Sequence, residues 1–132
     1  MHWINTGQWP VYVGFTMNEQ SFKELMTKLK VSDTRFMASE TSLASTHLFT
    51  NGDGPPIIVI TTKPRKRFGS MVSYASFIAH EAMHAIDRIR EVVNQGCPLG
   101  DETEAYLMQH IVRECLNAAT GFKLRRTDDP TA

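Results

Sequence analysis

Met71-Val72-Ser73-Tyr74-Ala75-Ser76-Phe77-Ile78-Ala79-His80-Glu81-Ala82-Met83-His84-Ala85-Ile86-Asp87-Arg88-Ile89 is the stretch that decides how this chain folds. It contains no proline or glycine, and Val72, Tyr74, Ala75, Phe77, Ile78, Ala79, Ala82, Met83, Ala85, Ile86 and Ile89 keep every turn apolar. The pattern predicts a well-buried helix of about five turns. Residues four apart on a helix share a face, so His80 and His84 present their ring nitrogens to one point, with Glu81 to the side. Ionisable groups in so apolar a helix are costly unless paired or bound to metal. The H-E-x-x-H spacing suits zinc: two imidazoles hold the ion, and the glutamate takes a proton from water. The plainer alternative makes the histidines hydrogen-bonded core residues and pairs Glu81 with Arg88 or Arg90.

A catalytic zinc takes three protein ligands and a water, so a third donor is needed. Gly100-Asp101-Glu102-Thr103-Glu104-Ala105-Tyr106 opens a second amphipathic helix, which continues through Leu107, Met108, Ile111, Val112, Cys115, Leu116 and Ala119. At about 100° per residue, Glu104 falls within the apolar stripe of Met108, Ile111 and Cys115, and Glu102 falls near the opposite side. Capping chemistry points the other way. Asp101 followed three residues later by Glu104 fits a capping box, which gives Glu104 a structural task and leaves Glu102 free to reach a metal. The residues alone leave both carboxylates open.

The chain resembles the zincin metallopeptidases whose third ligand is a glutamate, and is most similar to small zinc-peptidase-like proteins encoded by tailed bacteriophages. The resemblance is carried by Trp3-Ile4-Asn5-Thr6, Pro10-Val11, a Lys/Arg run before the helix, His80-Glu81-x-x-His84, and Glu102-x-x-Ala105-Tyr106 followed by Gln109. It implies zinc held by His80, His84 and Glu102, with Glu104 the alternative third ligand and Glu81 the general base. It also implies that an edge strand just before the metal helix pairs with an extended peptide, a role that falls to 57–62.

At 132 residues, 42% of them hydrophobic, the chain is long enough for one core and one domain spanning 1–132. Fourteen basic and 14 acidic residues leave no net charge to attract nucleic acid or a membrane. The N-terminus shows no basic region followed by an apolar run, and no apolar stretch approaches membrane-spanning length. A cytoplasmic protein is expected, in the host cytoplasm if phage-encoded, with virion association as an alternative. Neither Cys97 nor Cys115 belongs to a Cys-x-x-Cys motif. Cys115 reads as core, and Cys97 as a loop residue near the expected metal with at most an adventitious ligand role.

Residues 9–16 read as a strand, 18–30 as a helix capped by Asn18, 42–50 as a strand, Asn51-Gly52-Asp53-Gly54 as a tight turn and 56–62 as a strong strand. With the two C-terminal helices this makes an α+β domain with a small twisted sheet packed against about three helices, and the resemblance implies that it is a single minimal zincin-like domain. Residues 127–132 read as a frayed tail. The run Lys63-Pro64-Arg65-Lys66-Arg67 reads as a solvated loop; any function it has is to hold an acidic group of a substrate.

The functional expectation is a zinc-dependent hydrolase, a metallopeptidase acting on a peptide or protein substrate. Asp87 is placed to orient a ligand imidazole, and Tyr106 or His110 to stabilise a developing oxyanion. His2 and His47 carry no motif. The alternative is a non-enzymatic, zinc-stabilised accessory, assembly or host-interaction protein that meets a phage structural or host protein.

Overall fold

Ile57, Ile58, Val59 and Ile60 are consecutive, branched and buried, and they form the centre of the structure. A strand presents alternate residues to opposite faces, so an unbroken apolar run needs cover on both sides. It has that cover. Ile58 and Ile60 pack with Tyr74, Ile78, Ala82, Ile86 and Ile111 on one face, and Ile57 and Val59 pack with Phe22 and Met26 on the other.

The structure is a computed structural model that describes residues 1–121, so the tail expected at 127–132 lies outside the described residues. The elements run β1 (His2–Ile4), β2 (Tyr12–Thr16), α1 (Glu19–Leu29), β3 (Ala44–Asn51), β4 (Gly54–Thr62), a short 3-10 helix (Arg65–Phe68), α2 (Met71–Asn94) and α3 (Asp101–Thr120). The four strands make one mixed sheet in the order β1-β2-β4-β3, parallel between β2 and β4 and antiparallel elsewhere. The fold is therefore α+β, a four-stranded sheet with three α-helices, α1 on one face and α2 with α3 on the other.

Local chemistry explains the ends of the elements. The Asn18 side chain accepts from the Ser21 N–H, and Lys30 closes α1 in the left-handed region. Ser70 caps α2 by accepting from the Ser73 N–H at 3.0 Å. Gln95 and Gly96 take positive φ at its far end, and the Gly96 N–H returns to the Arg90 carbonyl at 3.0 Å. Gly14 is required by a close approach, because a Cβ there would sit 3.0 Å from the Trp3 ring that covers it across β1 and β2.

Several expectations change. Strand 57–62 is interior, bonded to β2 and β3 on its two sides, so the edge beside α2 belongs to β3 and not to β4. The reason is the parallel β2–β4 pairing, which places the most apolar strand where both faces are covered. Helix α2 is amphipathic rather than buried all round: Val72 is 82% exposed and Met83 42%, and the core takes Tyr74, Ile78, Ala82, Ala85, Ile86 and Ile89. Asp101 is the first residue of α3 and not its cap, a place taken by Gly100 at φ 109. Strand β1 was not expected; three residues are too few for periodicity to register. Among the described residues no helix is long and apolar enough to cross a membrane.

Candidate metal centre

Helix α2 carries His80, Glu81 and His84 in its middle, where it passes β3. The two imidazoles are exposed and Glu81 is buried, at 7% exposure. The buried triplet expected from the apolar helix is thus divided between the two faces. Glu81 lies about 100° around the axis from His80, which puts it among Ile78, Ala82 and Ala85 toward the sheet. His80 and His84 look outward. Their Nε2 atoms approach to 3.1 Å, with the rings at 73° to each other. Neither ring has another polar partner among the described residues.

Two nitrogens bound to one tetrahedral zinc at about 2.0–2.1 Å lie about 3.3 Å apart, so the observed convergence fits a shared ion. Imidazole nitrogen is also a donor type that zinc takes. The Glu81 carboxylate is held from across the groove. Thr46 of β3 donates through Oγ1 to Glu81 Oε2 at 2.6 Å, and the same hydroxyl lies 3.1 Å from the Glu81 carbonyl. Oε1 receives no protein donor among the described residues. Thr46 escaped the sequence reading because it lies 35 residues from Glu81; the alternation of β3 was the only signal, and it says nothing of a partner. The alternative pairing of Glu81 with Arg88 or Arg90 does not occur: Arg88 pairs with Glu91, and Arg90 with Asp87 and Glu104.

His80 and Glu81 border a cleft of about 410 Å³ whose other walls are Thr41, Ser42, Leu43, Ala44, Ser76 and Phe77. The cleft lies between α2 and the start of β3, the outer strand of the sheet. Its walls combine hydroxyls with apolar surface, and among the described residues Glu81 is the one carboxylate that lines it.

The remaining candidates are placed as follows. Glu102 is exposed in the first turn of α3, with no hydrogen-bond or ion-pair partner among the described residues. Glu104 is engaged twice: its Oε1 accepts from Arg90, and its Oε2 accepts from the Leu99 N–H at 2.7 Å. The Arg90 guanidinium, helped by that N–H, holds the Glu104 carboxyl below its usual range. Glu104 thus fastens α3 to α2 and closes the turn before α3. Asp87 accepts from Arg90 at 2.6 Å and not from a ligand imidazole. Tyr106 is 68% exposed, and His110 lies 2.7 Å, through Nε2, from the Asn5 carbonyl after β1. Cys97 is an exposed free thiol, whereas Cys115 is buried and burial pushes its pKa far up. Among the described residues no group of three His, Cys, Asp or Glu side chains is gathered closely enough to hold a metal ion. The structure therefore brings His80 and His84 together on the outer face of α2, with Glu81 beside them on the inner face, and brings neither Glu102 nor another third donor to the pair among the described residues.

His2 lies 3.0 Å from Glu114. His47 is structural: its Nε2 lies 3.1 Å from both the Phe36 carbonyl and Thr61 Oγ1, and its ring stacks on Phe49. Burial lowers its pKa, outweighing the opposite pull of the Phe36 carbonyl and the Glu81 charge.

No family model matches the chain, and neither a curated protein nor a solved structure does so. The resemblance to phage-encoded zincins rests on the residues quoted for it.

Proposed function

We propose that this chain is a zinc-dependent hydrolase, a metallopeptidase in which His80 and His84 hold the ion, Glu102 is the third ligand and Glu81 is the general base. The observation that supports it is the 3.1 Å convergence of the two Nε2 atoms beside a buried carboxylate that lines a cleft. When bound, zinc acidifies a water molecule and polarises the carbonyl under attack.

The rest falls to the chain's own side chains. Thr46 fixes Glu81 Oε2, which leaves Oε1 to hold the attacking water and take its proton. As the water oxygen bonds to the carbonyl carbon, Glu81 keeps that proton. It then delivers the proton to the amine nitrogen as the carbon–nitrogen bond breaks. The cleft beside β3 suits an extended peptide, which would pair with the outer edge of β3 and lay alternate side chains against Ser76 and Phe77. Glu102 would have to move to join the pair; its side chain, in the first turn of α3, is exposed and has no partner among the described residues to release.

The non-enzymatic reading, an accessory, assembly or host-interaction protein, is favoured by one observation: no third donor joins the histidines among the described residues. A single experiment separates the two. Purified protein is analysed for metal by elemental analysis and assayed on a library of quenched fluorescent peptides, alongside His80→Ala/His84→Ala and Glu81→Gln. The hydrolase reading expects about one zinc per chain, lost in the double variant, with Glu81→Gln keeping the zinc and losing hydrolysis. Zinc retained by His80→Ala/His84→Ala refutes the ligand assignment. Zinc binding without hydrolysis of any library member, in wild type as in Glu81→Gln, favours the accessory reading.

A further inference from the structure

The loop between β4 and α2 concentrates Lys63, Arg65, Lys66 and Arg67 within five residues, four of the 14 basic residues that balance 14 acidic ones over the whole chain. Among the described residues none of the four forms an ion pair, although Arg35, Arg88 and Arg90 all do. Lys63 Nζ donates to a backbone carbonyl, that of Glu40, at 3.2 Å. Arg65, Lys66 and Arg67 are exposed. Like charges this close repel one another, and among the described residues no carboxylate pairs with them in return. What fixes the loop is Phe68, which is buried and contacts Tyr74 and Phe77 edge-on.

Those anchors join the loop to the cleft. The Phe68 and Phe77 ring centroids are 5.1 Å apart, and the Lys63 N–H donates to the Leu43 carbonyl at 2.9 Å. Leu43 and Phe77 are both walls of the cleft that contains His80 and Glu81. A second depression, of about 370 Å³, is bordered by Arg65, Lys66, Gly69, Ser70 and Met71. The helix from Met71 to His80 rises about 14 Å, the span of about four residues of extended peptide. Among the described residues no lysine or arginine borders the cleft itself, so selection by charge falls to this loop.

We propose that the basic loop is a specificity subsite that selects peptides carrying a block of acidic side chains about four residues from the bond presented to His80 and Glu81. The inference rests on the hydrolase reading for the meaning of that bond; the charge preference itself is independent of zinc. A nucleic acid fits less well. It would be met by one short loop on a neutral protein, and the aromatic ring within the loop, Phe68, is buried where no base can stack on it.

The test is fluorescence anisotropy with a labelled peptide that joins four glutamates to an uncharged segment of about five residues, and with its counterpart carrying glutamines. Both are titrated with full-length zinc-loaded Glu81→Gln and with protein stripped of metal. The acidic peptide should bind both forms about tenfold more tightly than the glutamine peptide, and the preference should shrink between about 50 and 500 mM salt. Arg65→Ala/Lys66→Ala/Arg67→Ala should abolish the preference, and Arg65→Glu/Lys66→Glu should transfer it to a lysine peptide. Equal affinity for the two peptides, or a preference that survives the triple variant, overturns the proposal. So does a labelled single-stranded oligonucleotide that binds more tightly than the acidic peptide through the same residues. Failure of the hydrolase reading registers separately, as absence of zinc or of hydrolysis, and leaves the anisotropy comparison on stripped protein intact.

Discussion

Replacing Thr46 with valine keeps the side chain's shape and β-branching while removing the hydroxyl that holds Glu81 Oε2 at 2.6 Å. Glu81 as a residue is 7% exposed, so water cannot fully replace the lost donor. A hydrogen bond to a charged group contributes about 1.5–3 kcal/mol, more than a neutral one, and orphaning a buried acceptor adds its desolvation. The second contact, to the Glu81 carbonyl, adds little because that carbonyl lies inside α2, where the helix supplies its own donor. The expected loss is about 2 kcal/mol, which for a domain of this length is a drop of about 6–10 °C in Tm. The assay is urea and thermal unfolding at neutral pH of the wild type, Thr46→Val, Glu81→Gln and the double variant. With the neutral amide in place, the valine substitution should cost about 1 kcal/mol. A Thr46→Val protein within about 0.5 kcal/mol of wild type would show that Thr46 does not hold the carboxylate, and the account of how Oε1 is left for water would fall with it.

Ile78→Ala should cost about 2–5 kcal/mol in the same unfolding assay, because Ile78 is fully buried between α2 and the sheet; Val72→Ala, at an 82% exposed position, should stay within about 0.5 kcal/mol. His47 carries a pKa lowered by burial, so its folded form stays neutral where the unfolded form takes a proton. Its contribution is complete above about pH 6.5 and is lost as pH falls through the folded value. Urea midpoints measured from neutral pH downward should therefore fall, and His47→Gln should flatten the upper part of that decline. Glu104 acts in a lower window, below its ordinary value of 4.5, where protonation releases Arg90. Glu102→Ala should leave the Tm of metal-stripped protein unchanged yet weaken zinc retention against a chelator by orders of magnitude, while Glu104→Ala should lower the Tm of stripped protein and retain zinc. The opposite pattern would make Glu104 the ligand.

How much of this was legible in the sequence differs element by element. The helices at 18–30 and 71–89, the turn at Asn51-Gly52 and the strand at 56–62 follow from caps, turn residues and periodicity, all of them local signals. The position of 57–62 inside the sheet did not follow, because strand order is set by the parallel β2–β4 pairing across about 45 residues of chain. A continuous run of branched residues does say that both faces are covered, and for β4 that statement holds. At the candidate centre the four-residue spacing of His80 and His84 sufficed to bring their Nε2 atoms together. The burial of Glu81 against Thr46 could not be read, since composition alone made every position of the helix look apolar. The two carboxylates at the start of α3 show the same limit. Helical phase put Glu104 on the inner face, where Arg90 meets it, but no periodicity reveals that an arginine on the preceding helix is waiting there.

The parallel pairing of β2 with β4 also orders events in time. Register contacts such as Val13 with Ile58 close a long loop that contains all of α1 and β3, and contacts of that separation form slowly. Helices α2 and α3 are adjacent in sequence, joined by a short turn, and need no strand to meet. The histidine pair depends on a single turn of helix, so it exists as soon as α2 does, whereas the Thr46 hydroxyl reaches Glu81 once β3 has docked on β4. The pairing of the two imidazoles is therefore a local property of one helix, whereas the anchoring of the carboxylate is a tertiary one, made across 35 residues of chain.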